Sequence, residues 1–182
     1  MLLSLGTELV WNAVLSGLVA MTAPSPQAGV DAAFLGAFDA RLLAAHNLER
    51  AAMGAPPMRW NPALADAAGE WAERLAARRA LVHSFSDPND PDPQGENLWM
   101  GTRGYYTPED MVGLWIAEKK HYRPGVFPAV STTGRWVDIG HYTQVIWASS
   151  REVGCAVARN DEDDFLVCRY AEGGNVMGER PV

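Results

Sequence analysis

The chain has 182 residues, 48% of them apolar, with a net charge of −7 and an isoelectric point near 5.0. That is one domain of ordinary size with enough apolar material for a core, and the acidic balance leaves no basic track for a nucleic-acid backbone to follow. The adjacent cations Arg78-Arg79 and Lys119-Lys120 fall in helical patterns and read as solvated faces.

Residues 1–30 read as a leader and linker. Residues 9–23 form an apolar run ending in small residues and prolines, like the hydrophobic stretch of a secretory signal. No Lys or Arg precedes it, Glu8 sits at its edge, and no small-x-small cleavage pattern follows. It is shorter than the roughly 20 residues a spanning helix needs. Export to an extracellular or periplasmic space is the expectation, without stable membrane insertion. A mis-assigned start or a tail with no targeting role is the alternative.

The folded domain is expected over residues 31–182. Over residues 31–53, Phe34, Phe38, Leu42, Ala45 and Leu48 recur at helical spacing, and Gly54 with Pro56-Pro57 stops them. Asn61-Pro62 opens a second helix, which runs to about Ala80 with Leu64, Ala68, Trp71 and Leu75 as its stripe. Residues 87–93 are acidic and proline-rich; the prolines break the ligand spacing of an EF-hand, and the run reads as loop. Residues 96–100 suit a short strand. Thr107 and Asp110 suit a capping box for a third helix reaching Tyr122, followed by loop over residues 123–135. Two strands, 153–159 and 165–170, flank the polar turn Asn160-Asp161-Glu162-Asp163-Asp164. If that turn centres on Asp161-Glu162, Cys155 and Cys168 face each other across the strands, near enough for a disulfide. Two buried free thiols are the alternative. A disulfide implies an oxidising compartment. Helices early and strands late point to α+β layers rather than a parallel βαβ sheet.

The third helix contains a misfit. Met111, Leu114, Trp115 and Tyr122 mark its apolar stripe, and Glu118 falls on the same stripe. A carboxylate facing a core is costly unless paired, so Glu118 needs a distant partner, or else the helix lies in a groove with Glu118 at the rim. His83, Glu96 and His141 each interrupt another apolar segment, the last in Gly140-His141-Tyr142-Thr143-Gln144-Val145-Ile146-Trp147. Taken singly, each reads as a satisfied buried polar residue. Converging, they make a two-His, two-Glu set suited to zinc or another divalent cation. The same set suits proton transfer with Glu96 or Glu118 as base. His-Glu-x-x-His, the Gly-x-Ser-x-Gly elbow and the phosphate-loop motif are all missing from the sequence, and nothing in it signals covalent catalysis.

These motifs together resemble the CAP superfamily of cysteine-rich secretory proteins, insect venom antigens and plant pathogenesis-related class 1 proteins. The resemblance rests on Ala45-His46-Asn47-Leu48-Glu49-Arg50, on Gly95-Glu96-Asn97-Leu98, on the octapeptide at 140–147, and on Phe165-Leu166-Val167-Cys168-Arg169-Tyr170 running on to Gly174-Asn175. It implies a three-layer α-β-α sandwich with a central, mostly antiparallel sheet. It also implies a cleft holding His83, Glu96, Glu118 and His141, with residues 140–147 opening a short helix whose Val145, Ile146 and Trp147 pack inward. His46 and His121 are not cleft residues in this pattern. Two departures stand out: Glu172 replaces the Pro, Ala, Arg or His usual at that point of the signature, and there is one cysteine pair where eukaryotic members often have three.

The resemblance implies a binding module for a lipid, a sterol or an extracellular partner, as a monomer or weak dimer. Trp99, Tyr105, Tyr106 and Phe127, in or near expected loops, would supply apolar contacts. A metal-assisted hydrolase using the same cleft is the alternative reading. A third is a buried polar network with a purely structural role.

Overall fold

A computed structural model describes residues 36–85, 89–90 and 92–182. The leader assigned to residues 1–30 lies outside the described residues. Among the described residues there are four α-helices, α1 (Ala37–Met53), α2 (Pro62–Arg78), α3 (Pro108–Ile116) and α4 (Gly140–Ile146), and four strands, β1 (Arg59–Trp60), β2 (Gly95–Thr102), β3 (Glu152–Arg159) and β4 (Asp163–Ala171). The strands form one sheet in the order β1-β3-β4-β2. Only β1 runs parallel to its neighbour; β3–β4 and β4–β2 are antiparallel.

Strand alternation divides the core into two layers. Leu98, Ala156, Ala158, Phe165 and Val167 face α2. Trp99, Val153, Cys155, Leu166, Cys168 and Tyr170 face the opposite way and pack with side chains of α1, α3 and α4. This is the expected α-β-α sandwich. Small residues let α2 lie close to the sheet: Ala68, Ala72 and Ala76 are buried along it. At Gly154 an added Cβ would stand 2.2 Å from the Ala65 nitrogen.

The helix starts form as local chemistry dictates. Asn61 Oδ1 accepts hydrogen bonds from the Ala63 and Leu64 amides, at 2.9 and 3.3 Å, ahead of Pro62. Thr107 and Asp110 form a reciprocal capping box. The β3–β4 turn centres on Asp161-Glu162, with Asn160 N donating to Asp163 O at 3.0 Å. Cys155 and Cys168 are therefore register partners, and they form the disulfide.

Other expectations need correction. Leu48 and Leu114 are exposed, not core; the inward face of α1 is instead Leu42, Leu43, His46 and Arg50. Its two polar members are affordable there because both are fully hydrogen-bonded. The third helix does not reach Tyr122 as an α-helix. It tightens to a 3-10 helix over Ala117–His121, and Tyr122 then bridges to Ser131, a common way to end a helix against neighbouring chain. Trp99 and Phe127 are core residues rather than loop contacts: Trp99 sits on the inward face of β2, and Phe127 packs edge-on against Trp147. Strand β1, two residues long, has no period of its own to reveal it.

The motif His46-Asn47-x-x-Arg50 ties α1 to the rest of the fold. Asn47 exchanges two hydrogen bonds with the Met58 backbone, at 2.8 and 3.0 Å. The fully buried Arg50 guanidinium donates to the carbonyls of Pro56, Val145, Trp147 and Ser150, at 2.7–2.9 Å. It thereby caps the C-terminal end of α4 from within the core. Gln144 secures the same helix from the C-terminal side, accepting from Gly174 N at 2.9 Å and donating to Ser150 Oγ at 3.1 Å. Asn175 holds its start, donating to Gly140 O at 2.9 Å and accepting from Thr143 Oγ1 at 2.6 Å. Residues far apart in sequence thus fix the helix that carries His141.

Candidate functional site

The four residues singled out in the sequence assemble as two imidazole–carboxylate pairs. His141, on the first turn of α4, directs Nδ1 to Glu118 Oε1 at 2.6 Å, and the following amide, Tyr142 N, donates to Glu118 Oε2 at 3.0 Å. Glu118 thus finds the distant partner its place on the apolar stripe demanded. The His141 ring stacks at 15° on Trp115, centroids 6.2 Å apart, and Trp115 is itself fixed by an indole N–H bond to Leu98 O at 3.1 Å.

His83, just past α2, directs Nδ1 to Glu96 Oε1 at 2.8 Å, and the following amide, Ser84 N, donates to the same oxygen at 2.9 Å. The other oxygen, Oε2, lies 3.3 Å from Arg169 Nη2. Glu96 and Arg169 are cross-strand partners in the β2–β4 register. The Glu96 side chain is 9% exposed and that of Arg169 18%. Burial on its own would raise the Glu96 carboxyl. The hydrogen bonds from His83 and Ser84 and the charge of Arg169 outweigh it, and the carboxyl titrates below its ordinary value.

An ionised carboxylate only accepts hydrogen bonds, so a histidine beside one donates from Nδ1, and in the neutral imidazole the lone pair is then on Nε2. Among the described residues neither Nε2 has a hydrogen-bond partner. Each pair touches β2. Glu96 receives His83, and the next residue, Asn97, donates Nδ2 to His141 O at 3.1 Å and to Tyr170 Oη at 3.2 Å. Among the described residues no three or more His, Cys, Asp or Glu side chains group closely enough to hold a metal ion by themselves.

His46 and His121 stand apart from the pairs. His46 is fully buried; Nδ1–H donates to Leu42 O at 2.8 Å and Nε2 accepts from Tyr170 Oη at 2.9 Å. Burial above all, with the Arg50 charge adding to it, pushes this imidazole down to about 4 against the pull of the Leu42 carbonyl. His121 ends the 3-10 turn, and its carbonyl accepts from Thr132. Three supporting residues escape the sequence reading: Arg169, Trp115 as a stacking surface, and Asn97 as the link between pairs. The β2–β4 register would have revealed Arg169, but no local turn joins those strands to set it.

Residues 43–170 match the CAP family, described as the cysteine-rich secretory protein family. A pathogenesis-related protein of PR-1 type from Sambucus nigra is 37% identical over 138 residues, 75% of this chain and 77% of that protein. Pathogenesis-related protein 1 of Arabidopsis thaliana is 36% identical over 140 residues, 76% of this chain and 79% of that one. Among solved structures, NaASP2 crystallised with Zn2+ superposes with a TM-score of 0.62 at 21% identity, over 78% of this chain and 82% of that one. Schistosoma mansoni venom allergen-like protein 4 superposes with a TM-score of 0.55 at 23% identity, over 80% of this chain and 97% of that one. These two likenesses concern the fold. Family motif, sandwich architecture and relatives agree: the chain belongs to the CAP family of cysteine-rich secretory proteins.

Proposed function

We propose that this protein is an exported CAP-domain binding module in which His83 and His141 present their Nε2 atoms to a divalent cation, zinc by preference. The observation that carries this reading is the shared plan of the two pairs. Each imidazole is backed at Nδ1 by a buried or half-buried carboxylate, and each carboxylate is fixed by the next backbone amide. A carboxylate that accepts from Nδ1 is the usual support of a metal-binding histidine, setting its tautomer and raising its basicity. A bound cation would act there as a Lewis acid; this chain's residues supply the two nitrogen donors and their orientation.

Binding is better supported than hydrolysis. Glu96, a candidate base, is held below the ordinary carboxylate range and already accepts hydrogen bonds from His83 and Ser84 beside Arg169, which makes it a weak proton acceptor. Both lone-pair faces of Glu118 are likewise engaged. Export is supported by the Cys155–Cys168 disulfide. Among the described residues no helix is long and apolar enough to cross a membrane. With Trp99 and Phe127 in the core, a lipid or sterol contact falls to the exposed Tyr105 and Leu114, with Tyr106 partly buried beside them.

The test is a zinc titration of the full chain by calorimetry, beside a His83→Ala/His141→Ala variant, both checked for folding by circular dichroism. One zinc per chain, lost in a folded variant, is the expected result. No saturable binding by the folded parent would refute the cation reading.

A further inference from the structure

The sheet is left open on one side. Strand β1 pairs with β3 only at Glu152 and Val153. Beyond Val153, no strand among the described residues covers the outer edge of β3, which continues to Arg159. The direction of the free groups follows from the register. Val153 O accepts from Asn61 N at 2.9 Å, on the β1 side. Main-chain groups alternate sides along a strand, so those of Cys155, Val157 and Arg159 face the same side; Cys155 is buried there, Val157 is partly exposed and Arg159 is exposed. The 4.1 Å Cα separation of Cys155 and Cys168 agrees, being that of a pair that does not exchange hydrogen bonds within β3–β4.

This edge lies along the floor of a groove with an acidic wall in each helix layer. From α1 comes Asp39; from α2 come Asp66, Glu70 and Glu73, spaced along one helix face. Little opposes these charges. Arg159 is engaged by Asp164 at 2.9 Å, and Arg74 stands 4.0 Å from Glu70. Asp39 is partly buried with no hydrogen bond or ion pair among the described residues, and burial raises its carboxyl. An uncovered strand edge is a template for pairing that proteins ordinarily shield. Here the shielding charge is mostly negative, with Arg159 at the far end of the groove already engaged by Asp164. A second copy of the chain would bring carboxylates against carboxylates.

We propose that the open edge of β3 docks an extended, cationic segment of a partner protein, which pairs with the main chain of Val157 and Arg159 while its Lys or Arg side chains meet Asp39, Asp66, Glu70 and Glu73. Main-chain pairing supplies affinity and the acidic walls supply selectivity. The surface is separate from the two histidine pairs and does not depend on the cation reading.

The test uses the full, oxidised chain and a seven-residue peptide of alternating Lys and Val, followed by amide exchange and by titration. Saturable binding is expected, with slowed exchange at the amides of Val157 and Arg159. Affinity should fall at least about tenfold in Asp66→Asn/Glu70→Gln/Glu73→Gln, whose changes lie on the exposed face of α2. It should fall similarly for a peptide N-methylated at alternate residues, which keeps its charge but cannot pair as a strand. The proposal is overturned if no saturable binding occurs or if the N-methylated peptide binds equally well. Slow exchange of Val157 and Arg159 in the free chain, accompanied by dimerisation or abolished by removing residues 1–30, would overturn it too, because the edge would then be covered by a second copy or by the chain's own N-terminus.

Discussion

The His141–Glu118 and His83–Glu96 pairs repeat one local plan in different surroundings. In both, a histidine ring and the amide after it converge on one carboxylate. Glu118 spends its two oxygens on these two donors, and His141 is further held by the stacked Trp115 and by Asn97 at its carbonyl. Glu96 accepts both donors on one oxygen and turns the other to Arg169. The side chain of His83 is 62% exposed against 35% for His141. The same short-range geometry is therefore held by packing in one pair and by charge in the other. Packing tolerates loss of a carboxylate better than a buried cation does, since a guanidinium stripped of its counter-charge stays desolvated.

The largest effect expected from this difference is in Glu96→Ala. It leaves Arg169 largely buried without its carboxylate and should cost about 3–4 kcal/mol in urea unfolding. Glu118→Ala should cost about half as much, because it orphans donors but no cation. Adding Arg169→Met to Glu96→Ala should recover part of the loss; no recovery would mean that the charge is not what holds the pair.

Acid titration sharpens the comparison once His46 is accounted for. This imidazole is neutral in the folded core, with a folded value of about 4 against an ordinary 6.5. Between those values the unfolded chain takes up a proton that the folded chain does not, so stability falls as pH drops through the window and levels off below it. The loss is worth about 3 kcal/mol. His46→Gln should abolish that slope. The Glu96 carboxyl, depressed in the fold, contributes stability above its unfolded value that is lost as pH falls through its folded value. In His46→Gln this residual acid loss should remain, and in Glu96→Ala it should shrink to the part owed to the exposed, paired carboxyls of Glu109, Asp110 and Asp161, which are also held below their ordinary values.

The smallest effect separates the rings. His83→Ala, on an exposed ring, should change stability by less than about 0.5 kcal/mol. His141→Ala removes a stacked, hydrogen-bonded ring and should cost about 1–2 kcal/mol. Equal costs in thermal unfolding would show that the two surroundings do not differ in the way their contacts indicate.

The sequence by itself determined what is decided within a turn or two of chain. Asn61-Pro62 and Thr107-x-x-Asp110 start their helices because a side-chain oxygen meets an amide two or three residues on. The Asp161-Glu162 turn sets the β3–β4 register and with it the Cys155–Cys168 bond. Glu118 is conspicuous because a carboxylate on an apolar stripe must be paired; family likeness implies only that it shares a cleft with His83, Glu96 and His141, and which residues pair is a tertiary matter. Tertiary structure alone decided that Leu48 and Leu114 face solvent while His46 and Arg50 face the core, because hydrogen bonds to Tyr170 and to the end of α4 offset the cost of burying them. It alone set Arg169 opposite Glu96 across a register that no short turn fixes. It also left the edge of β3 open between two acidic walls, where α1 and α2, distant in sequence, flank the same strand from opposite faces of the sheet.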